Sequence, residues 1–150
     1  MPDTTGPSSP PSFSLPVRVY WEDTDGGGVV YHAQYLAFME RARSEWLRAL
    51  GLEQSAIRDG ERVQFAVVEM NVRWKRPARH DDALTVTVEL AGRGGATLEF
   101  RQAVLRGADV LVEADVRVAA VDADGLRPRR LPRTLVERLF AGTALKRKPG

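Results

Sequence analysis

The stretch YHAQYLAFMERARSEWLRALG, residues 31–51, carries the helical pattern that decides the fold. Its apolar side chains recur at intervals of three and four residues, which places them on one face of an α-helix of about five turns. Charged residues such as Glu40 and Arg48 fall on the other side, and Gly51 is placed to end the helix. The apolar face consists of Tyr31, Tyr35, Phe38, Met39, Ala42, Trp46 and Leu50.

Strands are predicted on both sides of this helix. Before it, Val17 and Val19 alternate with Arg18 and Tyr20, so residues 15–22 are predicted to form a strand. After Gly60 the segments have strand character and are joined by short, glycine-bearing turns. The predicted later elements are strands at residues 62–76 (with a bulge where the alternation shifts), 83–90, 96–106 and 110–121, and a short helix near residues 134–140.

Strands that follow one another through short turns form a mostly antiparallel sheet, which must bury one apolar face. The long apolar helix is the element expected to cover that face. We therefore predict an α+β fold in which a five-stranded sheet wraps around one long central helix. Sheet edges and exposed helix surface then favour pairing with a second copy of the chain.

Composition limits the architecture and the chemistry. The 150 residues suit one domain, predicted at residues 15–141 between a disordered leader, residues 1–14, and a basic flexible tail, residues 142–150. The chain has no cysteine and two separated histidines, His32 and His80, which excludes thiol chemistry and argues against a histidine-rich zinc site. No segment resembles a membrane span or a signal peptide, so we expect a cytoplasmic protein without membrane insertion.

Positive charge is concentrated late in the chain, although the net charge is only +2. The runs RPRRLPR, residues 127–133, and KRK, residues 146–148, contain much of it. Such runs can bind nucleic acid, membranes or phosphate groups, but solvated surface is the simpler interpretation. We predict no nucleic-acid partner.

The sequence EDTDGGGVVYHAQY, residues 22–35, joins the first strand to the helix. The first amides of a helix lack intrahelical partners and carry partial positive charge, so they can bind an oxygen that becomes negative. Glycines at Gly26, Gly27 and Gly28 allow the backbone to approach a ligand closely. Asp25 places a carboxylate beside such a site, an arrangement that suits acyl-transfer chemistry.

Each of these residues also has a purely structural interpretation. Asp23, Thr24 or Asp25 can cap the helix or hold the turn. His32 can be an ordinary first-turn residue bonded to the backbone, and Tyr31, like Tyr35, can belong to the core. The phosphate-loop and dinucleotide-binding signatures are absent from the sequence.

The stretch VRVYWEDTDGGGVVYHAQYLAFMERARSEWLRALG, residues 17–51, strongly resembles the start of the hotdog-fold acyl-CoA thioesterases. Within that superfamily it is similar to the 4-hydroxybenzoyl-CoA thioesterase-like group, especially the branch associated with the Tol-Pal envelope system. The resemblance continues through RWKRPARHDDALTVTVEL, residues 73–90, and RPRRLP, residues 127–132, so it covers nearly all of the chain after the leader.

This resemblance implies a hotdog fold that assembles as a homodimer or homotetramer, with the active site at the subunit interface. It implies that Asp25 is catalytic and that a backbone amide at His32 or a neighbour binds the oxyanion. The His32 side chain matches the family's histidine as well, and Gly28, Tyr31 and His32 are predicted to contact substrate. Gly26 stands where the family commonly has alanine, which should loosen the loop.

The predicted activity is metal-free, cofactor-free hydrolysis of a thioester on CoA or on acyl carrier protein. Asp25 acts either as general base or as nucleophile, and the sequence leaves both open. Basic residues are candidates for the CoA phosphates. A non-catalytic acyl-CoA sensor or scaffold is the main alternative, and a hotdog hydratase or dehydratase is a weaker one. The candidate phosphate ligands are Arg73, Lys75, Arg76 and Arg129.

Overall fold

The computed structural model of the chain describes residues 12–141, in which five strands and three α-helices are present. A single turn of 3-10 helix, Trp21–Asp23, separates the first strand from the first α-helix. The elements are β1 (Ser12–Arg18), α1 (Gln34–Ala49), α2 (Gln54–Gly60), β2 (Val63–Trp74), β3 (Ala83–Arg93), β4 (Thr97–Arg106), β5 (Asp109–Asp122) and α3 (Arg133–Leu139).

The five strands form one sheet in the order β1-β3-β4-β5-β2, and every neighbouring pair is antiparallel. Helix α1 packs on β1, β3 and β4. Its residues Phe38 and Met39 are fully buried in the same cluster as Val88 and Leu90 of β3. The predicted α+β fold, a five-stranded antiparallel sheet around one long helix, is confirmed.

The two faces of the sheet differ in polarity because the strands alternate. Inward positions of β3 and β4 are apolar, whereas the outward positions carry charges that pair across strands. Arg101 on β4 binds Glu89 on β3 at 3.0 Å, and Arg73 on β2 binds Asp115 on β5 at 3.4 Å. The outer face is therefore a polar surface, and the core lies between the inner face and α1.

One polar contact crosses this core. The Arg43 guanidinium on α1 donates to Gln102 Oε1 on β4 at 2.7 Å, and Gln102 Nε2 donates to the carbonyl oxygens of Met39 and Thr87 at 3.1 and 3.2 Å. Burial lowers the pKa of Arg43. These bonds satisfy the buried polar groups and fix the position of α1 on the sheet.

Two predicted boundaries at the N-terminal end were wrong. The first strand ends at Arg18 rather than at residue 22, because the chain turns at Trp21–Asp23. It also begins at Ser12, inside the predicted leader, because Ser12–Ser14 pair with residues 87–89 of β3. Residues 1–11 of the predicted leader and the predicted tail, residues 142–150, lie outside the described residues.

The helix and strand predictions were otherwise close. Helix α1 begins at Gln34, three residues after the predicted start, and Gly51 follows its end with a φ of +78°, as a helix-ending glycine requires. The predicted bulge in β2 is present between Val67 and Glu69. The short helix α2 was not predicted, and the predicted C-terminal helix is present as α3.

The pairing of Ser12–Ser14 predicts the effect of two N-terminal deletions. Removing residues 1–14 should lower the melting temperature more than removing residues 1–11. The longer deletion also removes strand hydrogen bonds and the half-buried Phe13, worth together on the order of 2 kcal/mol. That corresponds to roughly 4–8 °C in a thermal melt. Equal melting temperatures for the two truncated proteins would contradict the observed start of β1.

Candidate active site

Residues 25–29, here called the glycine loop, form a tight hairpin between the 3-10 turn and α1. Thr24 and Val30 face each other in an antiparallel bridge, and the Asp25 amide donates to the Val29 carbonyl at 3.0 Å. Gly26 and Gly28 have φ angles of +92° and +88°. These conformations are costly for any residue with a side chain, so the loop depends on its glycines.

Asp25 lies exposed on this loop. Its Oδ1 accepts a hydrogen bond from the Gly27 amide at 2.8 Å. Its second carboxylate oxygen has no hydrogen-bond partner within residues 12–141. One oxygen is therefore held by the loop while the other is available to a water molecule or a substrate.

Both aspartates make structural contacts: Asp25 holds the glycine loop through Oδ1, and the contact with the start of α1 belongs to Asp23. Its buried carboxylate accepts hydrogen bonds from the Tyr20 amide at 2.9 Å and from Gln34 Nε2 at 3.0 Å. The residue at the N-cap of α1 is Ala33, and no side chain caps that helix. Asp23 thus joins the 3-10 turn to the start of α1 and leaves Asp25 free of a capping role.

His32 lies in the turn that precedes α1. The Tyr31 amide donates to the Asp23 carbonyl at 3.0 Å and the Gln34 amide donates to the Tyr31 carbonyl at 2.8 Å. The amides of His32 and Ala33 between them find no acceptor within the described residues 12–141. These N–H groups are the open donors expected where a helix begins.

The His32 side chain is exposed and contacts aromatic rings. Its ring centre lies 4.5 Å from that of Tyr31 and 6.2 Å from that of Trp74. The indole N–H of Trp74 donates to the His32 carbonyl at 3.3 Å, which ties this turn to the end of β2. The imidazole itself makes ring contacts instead of the backbone bond considered in the sequence interpretation.

An open cleft of about 270 Å³ lies beside this turn. The two tyrosines differ there: Tyr35 is buried in the core as predicted, whereas Tyr31 is 51% exposed and its assignment to the core was wrong. The Tyr35 hydroxyl accepts the Ala78 amide at 2.9 Å, and burial raises its pKa. The cleft is lined by Val30, His32, Tyr35, Trp74, Lys75, Arg76 and Pro77.

A larger cavity, about 580 Å³, lies among Ser14, Arg73, Thr87 and Arg101 and includes none of the predicted catalytic residues. Its charged side chains already pair with one another across the sheet, Arg73 with Glu113 at 3.7 Å and Arg101 with Glu89 at 3.0 Å. The smaller cleft is the better candidate because it has an open amide donor and a histidine at its border.

The four basic residues predicted to meet phosphates are not brought together. Lys75 and Arg76 border the cleft, where they pair with Glu113 at 3.1 Å and Asp109 at 3.8 Å. Arg73 lies on the outer face of the sheet, paired with Asp115. Arg129 donates to backbone carbonyls at the start of β2, the opposite end of that strand from the cleft.

A segment that the sequence interpretation gave no role, residues 78–82, supports the glycine loop. The Val30 amide donates to the Ala78 carbonyl at 2.8 Å, and the His80 amide donates to the Gly28 carbonyl at 3.1 Å. The carboxylate of Asp82 accepts the Arg79 amide and the Arg106 guanidinium, each at 2.8 Å. Burial opposes the ionisation of Asp82, but these bonds outweigh it and hold its pKa below the usual value.

Within residues 12–141, no group of three histidine, aspartate or glutamate side chains is arranged to hold a metal ion. None of the helices in that part of the chain is long and apolar enough to cross a bilayer.

The left-handed backbone at Gly28 predicts the effect of a single methyl group. No atom lies within 4 Å of the added Cβ, so Gly28→Ala meets only the conformational cost, about 1–2 kcal/mol. We expect a melting temperature lower by roughly 2–8 °C. The matched control is Gly125→Ala, whose backbone is not left-handed and whose Cβ would meet its nearest atom at 3.9 Å. Equal melting temperatures for the two variants would contradict the loop conformation.

The lowered pKa of Asp82 predicts a pH dependence of stability. Its contribution is complete above the pKa of an aspartate in the unfolded chain, about 3.9, and is lost as the pH falls through the lower folded value. The free energies of unfolding of the wild type and Asp82→Asn should therefore differ most near neutral pH and converge at roughly pH 2. Urea titrations across this range measure the difference, and a gap independent of pH would refute the assignment.

Comparison with known proteins shows the family of the chain. Residues 19–139 match the thioesterase-like superfamily. Over 125 residues the chain is 47% identical to the acyl-CoA thioester hydrolase YbgC of Escherichia coli O6:H1, covering 83% of this chain and 92% of that protein. Over 121 residues it is 44% identical to the acyl-CoA thioesterase YbgC of Haemophilus influenzae, covering 81% and 89%.

Solved structures give the same result. The structure of a probable thioesterase from Bartonella henselae matches with a TM-score of 0.76 and 40% identity, covering 81% of this chain and 100% of that one. This match confirms the predicted hotdog fold. Because the family matches most of the chain and the relatives are this similar, the chain belongs to the thioesterase-like superfamily.

Proposed function

We propose that this protein hydrolyses acyl-CoA thioesters to a free acid and a thiol. The observation that carries the proposal is the pairing of a half-free carboxylate, Asp25, with an open backbone amide, His32, across one short hairpin. The activities named for the relatives from Escherichia coli and Haemophilus influenzae support the same reaction.

The backbone amide of His32 supplies the electrostatic part of the mechanism. The thioester carbonyl oxygen accepts its N–H, and the bond strengthens as that oxygen becomes negative in the tetrahedral intermediate. The amide of Ala33 is a second donor in the same turn. Both donors are fixed by the backbone, so no side chain has to reorganise during the reaction.

Asp25 supplies the other half of the reaction by one of two routes. As general base it takes a proton from a water molecule, whose oxygen adds to the carbonyl carbon to give the tetrahedral intermediate, and the carbon–sulfur bond breaks when that intermediate collapses. As nucleophile it attacks the carbon directly, and water then hydrolyses the mixed anhydride. In both routes the CoA thiolate leaves with the bonding electrons and then takes a proton.

The cleft suggests how the substrate lies. Exposed ring surface lies beside the amide donor, on Tyr31, His32 and Trp74. Gly28 has no side chain that could block a substrate on its way to this donor. Lys75 and Arg76 at its border suit the phosphates of CoA, for which they would exchange their carboxylate partners. Acyl carrier protein presents the same thioester and remains the alternative carrier, and the cytoplasmic location expected from the sequence stays a prediction.

We also propose that the active unit is a homodimer paired along β2. This strand lies at the sheet edge, with Val67 47% and Val68 56% exposed. An edge strand of this kind has unpaired backbone groups that a second copy can satisfy. Because Trp74 ends β2 and lines the cleft, such pairing brings the cleft to the subunit interface. The polar outer face gives less support to the homotetramer, which remains a prediction.

The main alternative is a non-catalytic acyl-CoA sensor or scaffold. Such a protein would need the cleft but not the free oxygen of Asp25. Asp25 uses one oxygen to hold the glycine loop and keeps the other exposed, whereas Asp23 makes the contacts with the 3-10 turn and α1. This division of work between the two aspartates favours the enzyme, and the hydratase alternative has no specific observation in its favour.

Kinetics and thermal melts of three variants separate the roles of Asp25, His32 and Asp23. Asp25→Asn keeps the shape of the side chain but removes its charge, so kcat should fall at least ~10²-fold with little change in melting temperature. His32→Ala keeps the backbone amide and should cost less. Asp23→Asn disturbs a buried acceptor and should lower stability by about 1–3 kcal/mol. A thiol-release assay over aliphatic and aromatic acyl-CoAs, with thermal melts, gives these values.

Two results would contradict the proposal. An Asp25→Asn protein with near wild-type kcat would show that the carboxylate only holds the loop. No turnover by the wild type across the whole panel would favour the scaffold.

The dimer predicts a mass of twice the chain's 16.6 kDa in light scattering. Val68→Lys places a charge at the exposed edge of β2 and should shift the mass towards the monomer, with loss of activity. The control is Leu126→Lys, a substitution at an apolar residue that is 65% exposed but lies outside β2. A fully active wild-type monomer would rule out an interface-built site.

A further inference from the structure

We propose that the Asp82–Arg106 ion pair is a positioning device for the active site. Through residues 78–82 it fixes the glycine loop that carries Asp25 against the start of α1. Neither side chain lines the cleft, so both act through other residues. The effect on turnover rests on the proposed thioesterase function, whereas the effect on the loop does not.

Residues 78–82 hold both sides of the site. On the loop side, the Val30 amide donates to the segment at 2.8 Å, the Gly28 carbonyl accepts the His80 amide at 3.1 Å, and Val29 forms a β-bridge with Arg79. On the helix side, the Ala78 amide donates to the hydroxyl of Tyr35, in the first turn of α1, at 2.9 Å. The segment therefore sets the position of Asp25 relative to the amides before α1.

The shape of the segment depends on the carboxylate of Asp82. It accepts the Arg79 amide at 2.8 Å, and the Asp82 amide donates back to the Arg79 carbonyl at 3.0 Å, which closes a tight turn. Within that turn Asp81 has a φ of +70°, a conformation that costs free energy for a residue other than glycine. Such a turn persists only where surrounding bonds hold it.

Arg106, the last residue of β4, supplies a side-chain anchor in addition to the two backbone bonds, each of 2.9 Å, that Val19 makes with Asp81 and Asp82. Its guanidinium donates to the Asp82 carboxylate at 2.8 Å and to the Pro77 carbonyl at 3.4 Å. One side chain thus contacts the end of the segment and the residue that precedes it. The Asp82 and Arg106 side chains are only 23% and 35% exposed, so solvent screens this pair less than the pairs on the outer face.

The glycine loop needs such a support because its own restraints are few. Three consecutive glycines have the largest conformational freedom that a chain can have. Inside the loop, one backbone bond and the Asp25–Gly27 bond limit that freedom. Misplacing a catalytic group by about 1 Å can cost ~10²-fold in rate, so loss of the support should be visible in turnover.

The test combines kinetics with hydrogen exchange on the full chain. Asp82→Asn and Arg106→Gln should each lower kcat between about 10- and 100-fold, with KM close to the wild-type value. Amide exchange of the peptide that contains Gly28 and Val30 should become faster. Arg106→Lys keeps the charge and one donor, so it should recover part of the lost kcat.

The matched control is Glu89→Gln. Glu89 on β3 pairs with Arg101 on β4 at 3.0 Å, so this ion pair also involves an arginine of β4, but it lies on the outer face, away from the site. This variant should retain wild-type kcat and wild-type exchange in the glycine loop. Melting curves of all variants establish that each is folded at the assay temperature.

The proposal is overturned if exchange in the glycine loop is unchanged in Asp82→Asn, whatever the activity. It is also overturned if kcat is unchanged while exchange rises, or if Glu89→Gln loses as much kcat as Asp82→Asn. A wild type without thioesterase activity would instead overturn the proposed function, and the exchange measurement would still decide whether Asp82 positions the loop.

Discussion

The burial of one face of α1 against the inner face of the sheet is the contact on which the rest of this structure depends. It supplies most of the shared core, and the Arg43–Gln102 bonds fix the helix at one place on β4. Once α1 is fixed, the position of its N-terminus is fixed as well. The open amides of His32 and Ala33 therefore have a defined location and direction relative to the sheet.

Two aspartates near the start of α1 have different contacts, and the proposed chemistry depends on that difference. Asp23 is buried and joins the 3-10 turn to α1, whereas Asp25 is exposed on a loop that holds only one of its oxygens. The proposed hydrolysis uses a carboxylate together with a donor for the developing oxyanion. Because the donors belong to the backbone, the site can offer both groups without a metal ligand set or a nucleophilic thiol.

Sequence periodicity predicted the features that local patterns determine. The spacing of Phe38, Met39 and Ala42 predicted the helix, and the alternation in β3 predicted its buried face, because both depend on residues close together in the chain. The family resemblance predicted Asp25 and His32 as catalytic residues, whereas periodicity alone left Asp25 open between a cap and a catalyst.

The errors have long-range causes. Ser12 and Ser14 have little apolar surface, and this part of β1 is a strand because β3 lies beside it. Tyr31 fits the helical spacing, yet its amide donates to the Asp23 carbonyl before the helix, and α1 begins only at Gln34. The role of residues 78–82 depends on Gly28 and Arg106, which are far away in sequence. No local pattern contains those contacts.

The central claim is that the thioester carbonyl binds the open amide of His32 beside the free oxygen of Asp25. The most direct test is a crystal structure with an acyl-CoA ketone analogue in which a methylene group replaces the sulfur. The claim predicts a distance of about 2.7–3.1 Å between the analogue's carbonyl oxygen and the His32 amide nitrogen, with Asp25 facing the carbonyl carbon. A carbonyl bound elsewhere, with the His32 amide hydrogen-bonded only to water, would contradict it.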